Sequence, residues 1–123
     1  MNYFESKEDY LERILMLSEK SNLVRAIDIA TSMSFSKPSV SIALKKLKAE
    51  GFILVNEATG NVTLTDSGMA IAKEIYERHK VISTALMMIG VSEETALEDA
   101  CKVEHNISRE TFTKIKEFIS KAK

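Results

Sequence analysis

Apolar residues in the opening segment recur with helical rather than strand spacing. Tyr10, Leu11, Ile14, Leu15 and Leu17 fall on one stripe, which predicts an amphipathic helix over 5–20. Asp9 and Glu12 lie three apart on its polar flank and, taken alone, read as solvated helix acids. Ser21-Asn22 breaks the pattern. A short helix follows over 25–33, with Ala26, Ile27, Ile29, Ala30 and Met33 expected inward. Ser34-Phe35-Ser36 is a tight connection into a second helix, from about Lys37 to Glu50. Pro38 suits its first turn, where a missing N–H costs little. Val40, Ile42, Ala43, Leu44 and Leu47 supply its apolar positions, and Gly51 suits the residue just past its end. Two short helices joined by so short a turn are a helix-turn-helix candidate.

The period then changes. Phe52-Ile53-Leu54-Val55 is strand-like, 56–61 is turn-rich, and Val62-Thr63-Leu64-Thr65 reads as a returning strand. A β-hairpin directly after a helix-turn-helix makes a winged helix. Thr65 or Ser67 can cap the next helix, which runs to about Ile89 on Ile71, Ala72, Ile75, Tyr76, Ile82, Leu86 and Ile89. His79 falls on or near that stripe, where a histidine is ordinarily a satisfied core residue. Gly90 closes the helix, and Ser92 starts another that carries residues 98–105. Asn106-Ile107 breaks it, and Ser108 caps a final helix with Phe112, Ile115, Phe118 and Ile119 in its stripe. The expected fold class is mainly α: a winged helix-turn-helix domain over 1–68, then an all-α dimerisation and metal-binding domain over 69–123.

Composition narrows the partners. With 123 residues, 45% of them hydrophobic, the chain is long enough for one compact domain or two small ones. A net charge of −1 argues against nucleic-acid or membrane binding by bulk charge and leaves room for a local basic patch. The second short helix offers one. Ser36, Lys37, Ser39 and Ser41 stand in its first turns and Lys45, Lys46 and Lys48 further on, which suits phosphate and base-edge contacts to double-stranded DNA. The segment from residue 70 on is rich in apolar residues and methionine for so few helices, so it is expected to pair two copies of the chain. A symmetric dimer would present two reading heads to two half-sites. Acids near the N-terminus, a lone cysteine, and an apolar run over 81–91 too short for a bilayer predict a cytoplasmic protein with no membrane partner.

The candidate chemistry lies in Cys101, Glu104 and His105. On a helix they fall at i, i+3 and i+4, which puts a sulfur, a carboxylate and an imidazole on one face, a partial ligand set for a first-row metal. Carboxylates and imidazole suit Mn(II) and Fe(II), whereas a thiolate favours Fe(II), Zn(II) or Co(II).

Several segments carry a family resemblance. Glu8-Asp9-Tyr10-Leu11-Glu12, Asp28-Ile29-Ala30, Ser36-Lys37-Pro38-Ser39-Val40-Ser41, Leu64-Thr65-Asp66-Ser67-Gly68, Arg78-His79-Lys80 and Asp99-Ala100-Cys101-Lys102-Val103-Glu104-His105 resemble the diphtheria-toxin-repressor family of metal-dependent transcriptional regulators. The two-domain layout is most similar to the manganese-transport-regulator branch. The resemblance implies a repressor that binds operator DNA when metal-loaded and controls metal-uptake genes. It implies Asp9, Glu12, His79, Cys101, Glu104 and His105 as ligands, and Ser36, Pro38 and Ser39 as DNA contacts; Lys37 and Ser41 are added from their type and place. Iron-responsive members resemble the chain at Cys101 but usually have methionine where Asp9 stands. Manganese members resemble it at Asp9 and Glu12 but usually have a carboxylate where Cys101 stands. Because the site is carboxylate-rich, Mn(II) is expected first and Fe(II) next, ahead of Zn(II) or Co(II). Ser83 and Leu97 stand where iron-type members carry further ligands, so that ancillary site is not expected. Nor is the SH3-like third domain of the iron-type members, since the chain stops at Lys123.

Two other readings compete: a metal-independent winged-helix regulator or scaffold that keeps only the fold, and a hydrolytic metal centre. No obvious substrate cleft is legible, so the chain is expected not to be an enzyme.

Overall fold

The structure, a computed structural model, describes residues 3–122. In order it contains α1 (Tyr3–Lys20), α2 (Ala26–Met33), α3 (Lys37–Ala49), β1 (Ile53–Val55), β2 (Val62–Leu64), α4 (Asp66–Met88), α5 (Glu93–Val103) and α6 (Arg109–Ala122). The chain divides into two compact units that part between Lys73 and Glu74, within α4. The expected division lies at 68/69, where α4 begins.

In the first unit, Tyr10, Leu11, Ile14 and Leu15 of α1 pack with Ile29 and Ala30 of α2 and with Val40, Leu44 and Leu47 of α3 into a buried core. The turn between α2 and α3 is made by Ser34 in the left-handed region (φ 58°), with Phe35 N–H donating to the Ala30 carbonyl at 3.1 Å. Ser36 then starts α3, accepting from Ser39 N–H at 3.3 Å, with Pro38 in the first turn.

β1 and β2 pair antiparallel, with Ile53 opposite Leu64, Leu54 opposite Thr63 and Val55 opposite Val62. The connecting turn is tied at its neck by Asn56 N–H to the Asn61 carbonyl at 2.9 Å. The Asn56 side chain accepts from Ala58 and Thr59 N–H, and Gly60 (φ 76°) supplies the left-handed step. The segment between α1 and α2 pairs with the hairpin: Val62 N–H donates to the Val24 carbonyl at 2.7 Å, and Val24 N–H to Asn61 Oδ1 at 2.8 Å. These bonds fix the angle at which the wing leaves the core.

In the second unit, Ile75 and Ile82 of α4, Ala96 and Ala100 of α5, and Phe112 and Ile119 of α6 are buried. Leu86, Met88, Ile89, Ile115 and Phe118 line an open apolar cavity of about 630 Å³ between α4 and α6. Ile89 is 76% and Phe118 69% exposed, although both fit a helical stripe.

Two further expectations are corrected. Ile27, expected inward, and Ile42, counted among the apolar positions of α3, are exposed, because the core faces of α2 and α3 are narrower than the run of apolar residues along them. α5 ends at Val103, so Glu104 is its C-cap and His105 lies beyond it. The expected caps do form: Thr65 Oγ1 accepts from Gly68 N–H at 3.2 Å, Ser92 Oγ from Thr95 N–H at 3.4 Å and Ser108 Oγ from Thr111 N–H at 3.1 Å.

Gly68 is buried in the first turn of α4, and a Cβ there would collide with the Phe52 carbonyl oxygen. Alanine at an open helical site usually gains about 1 kcal/mol over glycine. Here Gly68→Ala is expected to destabilise by about 1–3 kcal/mol, because backbone must move. Urea unfolding measures this, and a gain in stability would contradict the close approach.

Candidate metal centre and DNA-reading face

α4 presents His79 to the end of α5. Glu104 lies three positions after Cys101, and its backbone stays right-handed helical (φ −57°, ψ −28°), so both side chains reach the same side. His79 Nδ1 lies 3.0 Å from Glu104 Oε2 and 3.8 Å from Cys101 Sγ. One nitrogen, one sulfur and one carboxylate oxygen lie within 4.8 Å of one another. Glu104 is fully buried, whereas Cys101 is exposed. The other carboxylate oxygen, Glu104 Oε1, is buried without a hydrogen bond among the described residues. His105 Nε2 approaches it to 3.5 Å without making one.

A buried carboxylate oxygen lacking a donor, beside an imidazole and a thiol, is an arrangement that a divalent cation completes, so these residues fit a metal ligand set. His105 adds a second imidazole beside Glu104. Asp9 and Glu12 belong to α1 in the first unit, where Glu12 is buried and Asp9 half-buried. Ser83 is buried and donates to the Lys80 carbonyl at 3.1 Å, and Leu97 is an exposed hydrocarbon, so neither is set up as a ligand.

The His79 imidazolium is stabilised first by its hydrogen bond to Cys101 and then by that to Glu104, against the opposing effect of burial, and its pKa is pushed up to about 10. The folded value lies above the unfolded one, near 6.5. The stabilisation from the charged form is therefore fully present below about pH 6.5 and is lost as pH rises through about 10.

Sequence reasoning quoted Arg78 only as a neighbour of His79. Its Nη1 donates to the Glu104 carbonyl at 3.2 Å and to the Ile107 carbonyl at 3.1 Å, and its guanidinium lies 5.3 Å from the centre of the Phe112 ring. Arg78 thus holds the main chain on both sides of His105. Its partners are backbone carbonyls distant in sequence, and the only sequence signal was a cation adjoining a candidate ligand on the same helix.

On α3, Ser36, Lys37, Pro38, Ser39 and Ser41 are all exposed, so the surface expected to meet DNA is open. Ser36 Oγ donates to Ser39 Oγ at 2.9 Å while accepting from Ser39 N–H, so both hydroxyls are already part of the helix cap. Lys48 pairs with Glu57 of the wing turn at 3.3 Å.

A winged helix followed by a helical unit carrying clustered metal-ligand side chains defines a class: DNA-binding regulators that respond to a metal ion. Residues 2–60 match the iron dependent repressor N-terminal DNA binding domain, and residues 65–123 match the iron dependent repressor metal binding and dimerisation domain. The chain belongs to this family and is a metal-dependent transcriptional repressor; the family consists of transcriptional regulators, not enzymes. It is 36% identical over 121 residues to an HTH-type transcriptional regulator of Methanocaldococcus jannaschii, covering 97% of this chain and 96% of that one. It is 38% identical over 104 residues to the transcriptional regulator MntR of Salmonella typhimurium, covering 85% of this chain and 66% of that one. The solved structure of the manganese regulator SloR superposes with a TM-score of 0.82 at 32% identity, over 93% of this chain and 53% of SloR, so this chain spans about half of SloR's length. No helix among the described residues is long and apolar enough to cross a membrane.

Two outcomes follow from the geometry. A ligating imidazole nitrogen must be deprotonated, so metal loading is expected to displace the His79 proton, and apparent affinity is expected to rise between about pH 7 and 9, by up to tenfold per pH unit. Calorimetry in two buffers of different ionisation heat counts the released protons; affinity flat over that range would contradict the His79–Glu104 pairing. Lysine lacks the guanidinium fork, so Arg78→Lys is expected to lower metal affinity roughly 10- to 100-fold with the fold retained. Metal titration alongside circular dichroism checks this.

Proposed function

We propose that this protein represses metal-uptake genes by binding operator DNA as a homodimer when loaded with Mn(II) or Fe(II), in the cytoplasm. The observation that carries the reading is the convergence of His79, Cys101 and the fully buried Glu104, whose Oε1 has no hydrogen bond among the described residues, in a chain whose other half is a winged helix. The ligand set is proposed to extend to His105 and, as the resemblance of the first helix implies, to Asp9 and Glu12. A bound divalent cation supplies the positive charge that offsets the mutual repulsion of these carboxylates.

The residues divide the work. Glu104 and His79 give charge and a nitrogen donor, and Arg78 keeps the Glu104 main chain in place. Ser36, Lys37, Pro38, Ser39 and Ser41 face the duplex, hydroxyls and lysine toward phosphates and base edges. The apolar surface of Leu86, Met88, Ile89, Ile115 and Phe118 supports pairing with a second copy. Metal and DNA affinities are then linked reciprocally, with a coupling of about 1–3 kcal/mol per protomer.

Carboxylates at Asp9, Glu12 and Glu104 support Mn(II) first, and the Cys101 sulfur makes Fe(II) second. Zn(II) and Co(II) compete through raw affinity and the thiol.

The test is DNA binding measured in Mn(II), Fe(II), Co(II) and Zn(II), with metal content determined on the same samples. Binding is expected to fall at least fivefold in chelator and to be restored by Mn(II) or Fe(II), and His105→Ala is expected to lose that response. Undiminished binding in chelator, or equal metal content in wild type and His105→Ala, would favour a metal-independent scaffold instead.

A further inference from the structure

We propose that Ile42 reads thymine: its side chain packs on the C5-methyl group of a thymine in the major groove of the operator. The inference rests on the reading of α3 as the DNA-contacting helix and goes beyond it by naming the residue and the base. Ile42 is 70% exposed, although Val40, Leu44 and Leu47 of the same helix are buried. At about 100° per residue, Ile42 is rotated roughly 200° from Val40, so it occupies the middle of the outward face. Pro38, Ser39, Lys45 and Lys46 surround it on that face, and Ser39, Ile42, Ala43, Lys46 and Leu47 line one concavity together with Lys7 and Tyr10 of α1. α3 carries Lys37, Lys45, Lys46 and Lys48 and no acidic residue, so the face suits a polyanion.

A single exposed apolar side chain is ordinary on a protein surface. This one is singled out by its place. A β-branched residue is a poorer helix former than the lysines beside it, and at 70% exposure it gains little by packing within the chain. Its outward position is accounted for by a partner with an apolar spot inside a charged groove. The major-groove edge of DNA has one such spot, the thymine methyl. Isoleucine has no donor or acceptor, so it distinguishes thymine from cytosine by that methyl alone. The hydroxyls of Ser36 and Ser39 serve the helix cap as well as the duplex, and Ile42 is the apolar side chain at the centre of the face.

The test begins by selecting duplexes from a randomised library with the wild-type protein, in Mn(II) and separately in Fe(II). Each thymine in the selected duplex is then replaced singly by deoxyuridine, which removes only the methyl. Wild type is expected to lose about three- to fivefold in affinity at one thymine per half-site, the effect of burying one methyl group. Ile42→Ala is expected to bind the parent duplex more weakly and to be indifferent to deoxyuridine at that position, while its thermal unfolding matches wild type. Wild type insensitive to deoxyuridine at every thymine, or Ile42→Ala showing the same sensitivity, overturns the role of Ile42 and leaves the repressor reading intact. Failure of wild type to enrich any duplex in either metal overturns the DNA-reading assignment of α3, and this inference with it.

Discussion

A carboxylate removed from water has to be compensated, and Glu104 is fully buried. It follows Ala96 and Ala100 at steps of four, so these three residues form one stripe along α5 with no exposed surface. The two alanines let the helix approach its neighbours closely, and the stripe ends in a charge. His79 neutralises one side of that charge, while Arg78 fixes the backbone that carries it. The ion pairs that tie α6 to α4, Arg109 with Glu74 and Lys116 with Glu77, are exposed and contribute little. The geometry of the second unit is therefore held by its apolar core and by Arg78, and its chemistry is set by a single buried carboxylate.

Much of this order was legible because it is local. Ser36, Thr65, Ser92 and Ser108 each announce a helix start through a hydroxyl that can reach an N–H a few residues on, and each does so in the structure. The change from helical to alternating spacing after Gly51 marked the wing. Cys101 and Glu104 were legible as a pair because helical spacing alone brings them together. What was not legible depends on distance or on the choice of face. His79 meets Cys101 and Glu104 across 22 and 25 residues, and only the family resemblance brought it in. Arg78 bonds to carbonyls 26 and 29 residues away, and every residue type supplies a carbonyl. Periodicity also counts apolar residues without saying what they meet. Ile42, Ile89 and Phe118 fit a stripe, yet they face outward, where a core gives no account of them.

The charge distribution bears on how such a protein can be switched. The whole chain carries a net charge of −1, while α3 has only lysines among its charged residues. Lys48 is drawn toward Glu57 of the wing turn, so part of even this local charge is balanced within the protein. Phosphate contacts release counterions in proportion to their number, and a head with few of them holds DNA weakly at physiological salt. For a metal-dependent repressor that weakness is useful. A strongly basic head would stay on DNA whatever the metal supply, because a coupling of about 1–3 kcal/mol cannot dislodge a protein bound far more tightly than its occupancy requires. With a modest head, the same coupling moves operator occupancy through its responsive range. On the proposed reading of α3 as the DNA-contacting helix, specificity then comes from base-edge contacts on its outward face rather than from charge.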